Sequence, residues 1–258
     1  MAVGAALLLT NIAANAQVVG SAHDLSPDTT GTDQVCVFCH TPHGAATGAS
    51  AAGVPLWNKT LPNPATYTRY STLNTATLDG AETEVGSISL ACLSCHDGTQ
   101  ARDVLINAPG SGMTGIALGV GPMTGTPVPV LGTDLTDDHP VSIQYAGGGY
   151  LISDPDGVGT NVTPPGDPDF APATKGLVNA QPNWWVDSPL GAGPQREKVD
   201  MLLYARSDAA LDGGALQPFV ECGSCHDPHN ASTSGATSVA FLRIQNTASQ
   251  ICTTCHTK

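Results

Sequence analysis

Four stretches of the chain follow one pattern: CVFCH at residues 36–40, CLSCH at 92–96, CGSCH at 222–226 and CTTCH at 252–256. Each stretch is a pair of cysteines separated by two residues and followed at once by a histidine. All 8 cysteines of the 258-residue chain belong to these pairs, so no cysteine is left over. The chemistry that requires this pattern therefore decides how the chain folds.

The sequence C-x-x-C-H is the attachment motif of c-type haem. The two thiols bond covalently to the porphyrin vinyl groups, and the histidine that follows is held under the iron as an axial ligand. The four motifs predict four covalently bound c-type haems as cofactors. The predicted attachment residues are Cys36, Cys39, Cys92, Cys95, Cys222, Cys225, Cys252 and Cys255. The predicted proximal ligands are His40, His96, His226 and His256.

Zinc sites, disulfides and thioredoxin-type redox pairs also use C-x-x-C. In zinc ribbons, however, the partner pair usually follows about 15–20 residues later. The gaps between the pairs are far longer here, except between the last two. Neither zinc nor disulfide chemistry requires a histidine directly after all four pairs. The pattern therefore favours haem over these alternatives.

The chain has enough histidines to supply two axial ligands to each of four irons. The chain has 8 histidines, and four of them lie outside the motifs: His23, His43, His139 and His229. We predict that these four are the distal axial ligands. Methionine is the rival distal ligand, but none of the four methionines lies beside a motif.

Coordination by two histidines indicates electron transfer, because a haem enzyme needs an open position on the iron. We therefore expect that the protein is not an enzyme and has no catalytic residue. A haem enzyme, such as a reductase subunit, is the alternative from another functional class. Without the methionine ligand that raises the potential, low haem potentials are expected.

The charge of the chain narrows the choice of partners. The 9 lysines and arginines against 22 aspartates and glutamates give a formal net charge of −13. Nucleic acids and anionic membrane surfaces bind basic patches, so neither is an expected partner. No stretch is long and apolar enough to predict a transmembrane segment.

The composition, with 29 glycines and 20 prolines, predicts irregular structure. We expect a fold class of mostly irregular coil with a few short helices and minimal strand, organised around a chain of haems. Short helices are expected to carry the motifs. A further helix is predicted at 195–205, and extended pieces at 141–145 and 239–244.

The chain divides into a short leader and one domain. Residues 1–16 read MAVGAALLLTNIAANA and resemble an export signal with an A-x-A cleavage site, so export is expected. Residues 17–258 are predicted to form a single tetrahaem domain of two two-haem modules, about 17–100 and 135–258. Each module has a leading histidine, then C-x-x-C-H-x-Pro-His, then C-x-x-C-H.

His43 and His229 lie three residues beyond a proximal histidine, too near to reach the far face of the same haem. Each is therefore expected to ligate a neighbouring iron. We predict His43 for the Cys92/Cys95 haem and His229 for the Cys252/Cys255 haem.

The stretches SAHDLS, CVFCHTPH, DDHPVSIQY, CGSCHDPH and CTTCHTK resemble the extracellular multihaem c-type cytochromes of metal-reducing bacteria and archaea. The motif layout is most similar to the tetrahaem cytochromes that form nanowires. The resemblance spans roughly residues 19–258 and is specific only at the motifs.

The resemblance implies an extracellular or cell-surface filament that exports electrons to external acceptors or exchanges them with other redox proteins. It implies a head-to-tail homopolymer in which one distal ligand comes from the adjacent subunit, and His23, near the predicted mature N-terminus, is the expected donor. The alternative is a discrete periplasmic tetrahaem electron shuttle.

Overall fold

A computed structural model describes residues 17–28, 32–48, 53–108, 121–124, 129–148, 161–163, 166–178, 181–191, 195–230 and 241–258. The signal-like segment 1–16 lies outside the described residues, as do the first two positions of the predicted extended piece at 239–244. Residues 241–244 form no strand, although Leu242 makes an isolated antiparallel bridge to His226.

A six-stranded antiparallel sheet occupies the second half of the chain, so the prediction of minimal strand is wrong. The strands lie in the order β1-β6-β5-β4-β3-β2 across the sheet. Their bounds are β1 Ile143–Gln144, β2 Asn161–Thr163, β3 Ala173–Val178, β4 Gln181–Val186, β5 Met201–Arg206 and β6 Gln217–Val220. The predicted extended piece at 141–145 contains β1.

The prediction of a helix at 195–205 is also wrong, because β5 takes its last five residues. A short apolar run cannot be assigned to helix or strand by periodicity alone. Leu203 lies opposite Trp184 of β4, and the two side chains are 0% and 1% exposed. Aromatic residues favour strands because they pack well across a pleated surface, and this cross-strand pair stabilises the centre of the sheet.

Each cysteine motif lies on a short helical segment, as predicted. The first lies on a 3₁₀ turn at Val35–Phe38, and the others on α1 Ser87–His96, α2 Cys222–Cys225 and α3 Gln250–Cys255. Further 3₁₀ turns occupy Ser26–Asp28, Pro64–Thr66, Tyr70–Leu73, Tyr145–Gly147, Asp212–Gly214 and Thr247–Ser249. None of the helices among the described residues is long and apolar enough to span a membrane.

Three small cores of side chains hold these segments in place. The largest packs on the sheet around Trp184 and Met201 and reaches Cys255 of α3. A second contains Leu90 and Leu93 of α1. A third surrounds Phe38 on the first motif turn. The described residues therefore build packed cores of their own beside three of the four motifs, rather than relying on haem alone.

Candidate haem-binding site

The motif turns bring the two thiols and the histidine together. In the first motif the N–H of His40 donates to the carbonyl of Cys36 at 2.8 Å. The same bond joins His226 to Cys222 at 3.0 Å and His256 to Cys252 at 2.9 Å. One turn of helix thus fixes both sulfurs and the start of the histidine side chain. All eight cysteines are unbridged.

Several histidines have one ring nitrogen committed to a proline carbonyl. Because a carbonyl only accepts, the ring nitrogen that contacts it is a donor, which leaves the second ring nitrogen as the one that can bind a metal. His40 Nδ1 donates to Pro55 at 2.7 Å, His96 Nδ1 to Pro129 at 2.9 Å and His139 Nδ1 to Pro140 at 3.0 Å. His23 is bonded in the same way to the carbonyl of Pro228.

Three pairs of imidazoles face each other at similar separations. Two imidazoles bound to opposite sides of one iron, each by a bond of about 2 Å, have ring centroids roughly 6 Å apart. The observed centroid separations are 6.1 Å for His23–His96, 6.0 Å for His40–His229 and 6.3 Å for His139–His256. Each pair joins one proximal histidine of a motif to one predicted distal histidine.

These pairs differ from three of the sequence-based assignments. His43 is predicted for the Cys92/Cys95 haem, but His96 of that motif faces His23. His229 faces His40 of the first motif instead of the fourth motif. His23 faces His96 of its own chain, which favours ligation within the subunit over donation to an adjacent subunit. His43 is exposed, and its carbonyl accepts hydrogen bonds from Thr41 and Asn107. Spacing along the chain could not reveal these pairs, because long loops separate their members.

A cavity of about 200 Å³ lies at the third motif. Cys222, Cys225 and His226 line it together with Leu93 of α1 and His139. His139 therefore borders the third motif while its ring faces His256 of the fourth. The contact of its ring with His256 assigns His139 to the fourth motif. His139 also lines the cavity because the third and fourth motifs lie close together.

The motifs are neighbours in space in the order in which they occur in the sequence. A negative charge on Cys95 would raise the pKa of the Cys39 thiol, which places the first motif beside the second. Cys92 and Cys222 share a hydrogen bond, which joins the second motif to the third. Cys225 of the third motif interacts with Cys252 and Cys255 of the fourth.

Burial controls the ionisation of the site residues. It raises the pKa of the Cys39 and Cys255 thiols to about 12 and that of Cys225 to about 11, so these thiols are neutral at pH 7. Burial, aided by neighbouring His96, lowers the pKa of His23 to about 4. A neutral imidazole is the form that can ligate a metal.

The first and third motifs each make an equivalent backbone contact with a later segment, which the sequence did not reveal. The N–H of Asn58 donates to the carbonyl of Cys39, and the N–H of Arg243 donates to the carbonyl of Cys225, both at 2.9 Å. Leu56 and Phe241, two residues earlier in each case, both have a left-handed backbone, with φ of 50° and 64°. The two motifs are thus built alike, although the residues that contact them differ in type.

Buried polar groups beside the motifs fit a haem. Among the described residues, Trp57 Nε1 and Arg196 Nε are buried donors without a protein acceptor. The Trp57 ring packs edge-on against His40 at 5.8 Å, and Arg196 lies near Arg243. Haem carries two carboxylates, which are suitable acceptors for such donors. Thiols, opposed imidazoles and buried donors together match the chemistry of the group.

Lys59 is a functional candidate that sequence patterns missed. Its side chain is 0% exposed, and Nζ donates to the carbonyls of Ala101, Arg102 and Val104 at 3.0–3.2 Å. Its positive charge acts on the thiols of Cys39 and Cys95. A lone lysine in a loop gives no sequence signal for such burial, because charged residues are usually solvated.

Residues 217–258 match the family model described as a doubled CXXCH motif. The match covers the third and fourth motifs and indicates covalent c-type haem attachment there. No curated protein matches the chain.

Proposed function

We propose that the protein is an electron-transfer c-type cytochrome that binds four haems, each between two histidines. The three imidazole pairs with centroids 6.0–6.3 Å apart carry this proposal, because each contains the histidine of a C-x-x-C-H motif. Each bound haem supplies one iron that accepts and returns a single electron.

The internal repeat supplies the fourth pair. The leading histidine of each module faces the last motif of the same module, as in His23–His96 and His139–His256. His40 of the first motif faces His229, which follows the third motif by three residues. If the first and third motifs exchange these histidines, then His43, which follows the first motif by three residues, ligates the iron of His226. We assign it so.

The residues of the chain perform three tasks in this proposal. The cysteines would hold each haem by covalent bonds, and the paired imidazoles would ligate its iron. The proline carbonyls fix the orientation of the imidazoles. The contacts between cysteines of successive motifs keep neighbouring haems close, which short electron-transfer steps require.

A visible spectrum with carbon monoxide tests the electron-transfer proposal against the haem enzyme. We expect the reduced protein to have the sharp bands of low-spin c-type haem and to leave them unchanged under carbon monoxide. An iron that binds carbon monoxide stoichiometrically in the native protein would favour an enzyme with an open site. A protein without haem bands would favour a zinc or disulfide protein.

We further propose that the cytochrome is exported and that its subunits join head to tail into a conductive filament at the cell surface. The signal-like segment 1–16 and the resemblance of the motif layout support this. A contact between two different surfaces of the subunit forms an open fibre when the rotation between neighbours does not close a ring. Electron microscopy of cells and purified protein tests it, since discrete particles confined to the periplasm would favour the shuttle.

A further inference from the structure

A buried carboxylate lies where the second and third motif helices meet. Glu221 is the residue before Cys222 and is 1% exposed. Its Oε2 accepts hydrogen bonds from Ser89 of α1 at 2.5 Å and from Ser142 at 3.0 Å. Its Oε1 accepts from Arg206 of β5 at 2.8 Å. One carboxylate thus binds three elements that are distant in sequence.

The same hydroxyl groups also cap the backbone of both helices. Ser89 Oγ accepts from the N–H of Cys222 at 3.1 Å, and Ser142 Oγ accepts from the N–H of Gly86, the residue before α1, at 2.7 Å. Ser142 has a left-handed backbone with φ of 58°, which costs free energy for a residue other than glycine. The surrounding hydrogen bonds hold it in this conformation.

The space around the carboxylate is filled. A Cβ atom added at Gly86 would overlap the carboxylate of Glu221 and lie 2.7 Å from Arg206 Nη1. A Cβ added at Gly223 of α2 would overlap the hydroxyl of Tyr204 on β5. Side chains therefore fill the space beside both glycines, and a Cβ at either position would displace them.

This contact joins the two modules at their haem attachment sites. α1 belongs to the first module and α2 to the second, and the thiols of Cys92 and Cys222 meet across the boundary. We propose that Glu221 is a positioning residue for electron transfer, which holds α1 against α2 and so keeps the haems of the second and third motifs in contact. This proposal rests on the proposed electron-transfer function.

Two variants of the haem-loaded protein disturb the carboxylate from different sides. Glu221→Gln keeps the size of the side chain and removes the charge that faces Arg206. Gly86→Ala pushes on the carboxylate without changing it, and φ of −78° at this position suits alanine. Gly121→Ala is the matched control, since nothing lies within 4 Å of the added Cβ. Asp200→Asn removes another buried carboxylate, one that binds the N–H groups of Ser188 and Glu197.

Circular dichroism in the Soret region reports the contact, because neighbouring haems couple and give paired bands of opposite sign. We expect Glu221→Gln and Gly86→Ala to lose part of this paired signal and to slow the redistribution of electrons within the protein after flash reduction. Intact mass and the absorption spectrum should still report four low-spin haems. Both control variants should match the wild-type protein in all four measurements.

An unchanged paired signal and unchanged kinetics in Gly86→Ala and Glu221→Gln, with four haems bound, would overturn the positioning role. If Glu221→Gln does not accumulate, Gly86→Ala decides by the same criteria. A wild-type protein with fewer than four haems or with an open iron would instead contradict the proposed function, so the two failures are distinguishable.

Discussion

At the scale of single residues, His23 shows how burial prepares an imidazole to bind a metal. Burial lowers the pKa of His23 to about 4, and the proline carbonyl commits one of its ring nitrogens. The other nitrogen is therefore free at neutral pH. Aromatic packing adds to this, since the His23 ring stacks on Phe241 with centroids 4.1 Å apart.

Replacing His23 tests the ligand pairing directly. We expect His23→Ala to leave the haem of Cys92/Cys95 with one axial ligand, high-spin and able to bind carbon monoxide, while filament assembly is largely retained. His23→Met is the matched variant, and it should restore a low-spin iron at a higher potential because a thioether replaces an imidazole. Spectra and redox titration measure both. Short soluble species from His23→Ala would instead indicate ligation between subunits.

The buried charge of Lys59 should tune the potentials of the first two haems. A positive charge stabilises the reduced state, so Lys59→Met should lower the midpoint potentials of that haem pair in a redox titration. It should also cost about 1–3 kcal/mol of stability, because three buried carbonyls lose their donor. Lys198→Met removes an exposed cation and should change neither quantity. Unshifted potentials in Lys59→Met would show that the charge does not act on the irons.

The angles between paired imidazole planes predict two kinds of low-spin iron. The planes of His23–His96 and His139–His256 cross at 73° and 63°, whereas those of His40–His229 are inclined by 19°. Electron paramagnetic resonance of the oxidised protein should therefore resolve a strongly axial class, from crossed planes, and a rhombic class, from nearly parallel planes. A spectrum with rhombic signals alone would contradict the crossed pairs.

At the scale of secondary structure, the motif helices were predictable and the sheet was not. A C-x-x-C-H motif implies a turn that gathers its side chains, and each motif lies on such a turn. The runs NWWV and MLLYAR carry no alternation that distinguishes strand from helix, so their pairing in β4 and β5 depends on tertiary contacts. The strands were also hard to recognise because the segments 97–138 and 140–221 are rich in glycine and proline, which are typical of turns.

The central strand pair should dominate the stability of this half of the chain. Leu203→Ala removes a side chain that is 0% exposed against Trp184, and we expect a loss of about 2–5 kcal/mol. Leu177→Ala on β3 is the matched control, since Leu177 is 47% exposed and a change within about 0.5 kcal/mol is expected. Chemical denaturation followed by far-ultraviolet circular dichroism measures both. Equal losses would show that the sheet is not a packed core.

At the scale of the whole molecule, the two segments predicted as modules contact each other closely. The imidazole pair His40–His229 joins the first motif to the segment that follows the third. The carboxylate of Glu221 joins α1 to α2. The repeat of ligand types along the sequence predicts two modules. It does not reveal the contacts between them, because sequence alone cannot distinguish which of two equivalent histidines ligates a given iron. Only the three-dimensional structure shows whether the histidine that pairs with a motif comes from the same module or from the other module.

The central claim is that every cysteine pair holds one haem covalently. The most direct test is the intact mass of the denatured protein, purified from a host with haem-attachment machinery, because denaturation removes any group that is not covalently bound. We predict the mass of the chain plus four haems. Variants with one motif changed to A-x-x-A-H should each lose one haem. A wild-type mass with fewer than four haems, or that of the unmodified chain, would contradict the account.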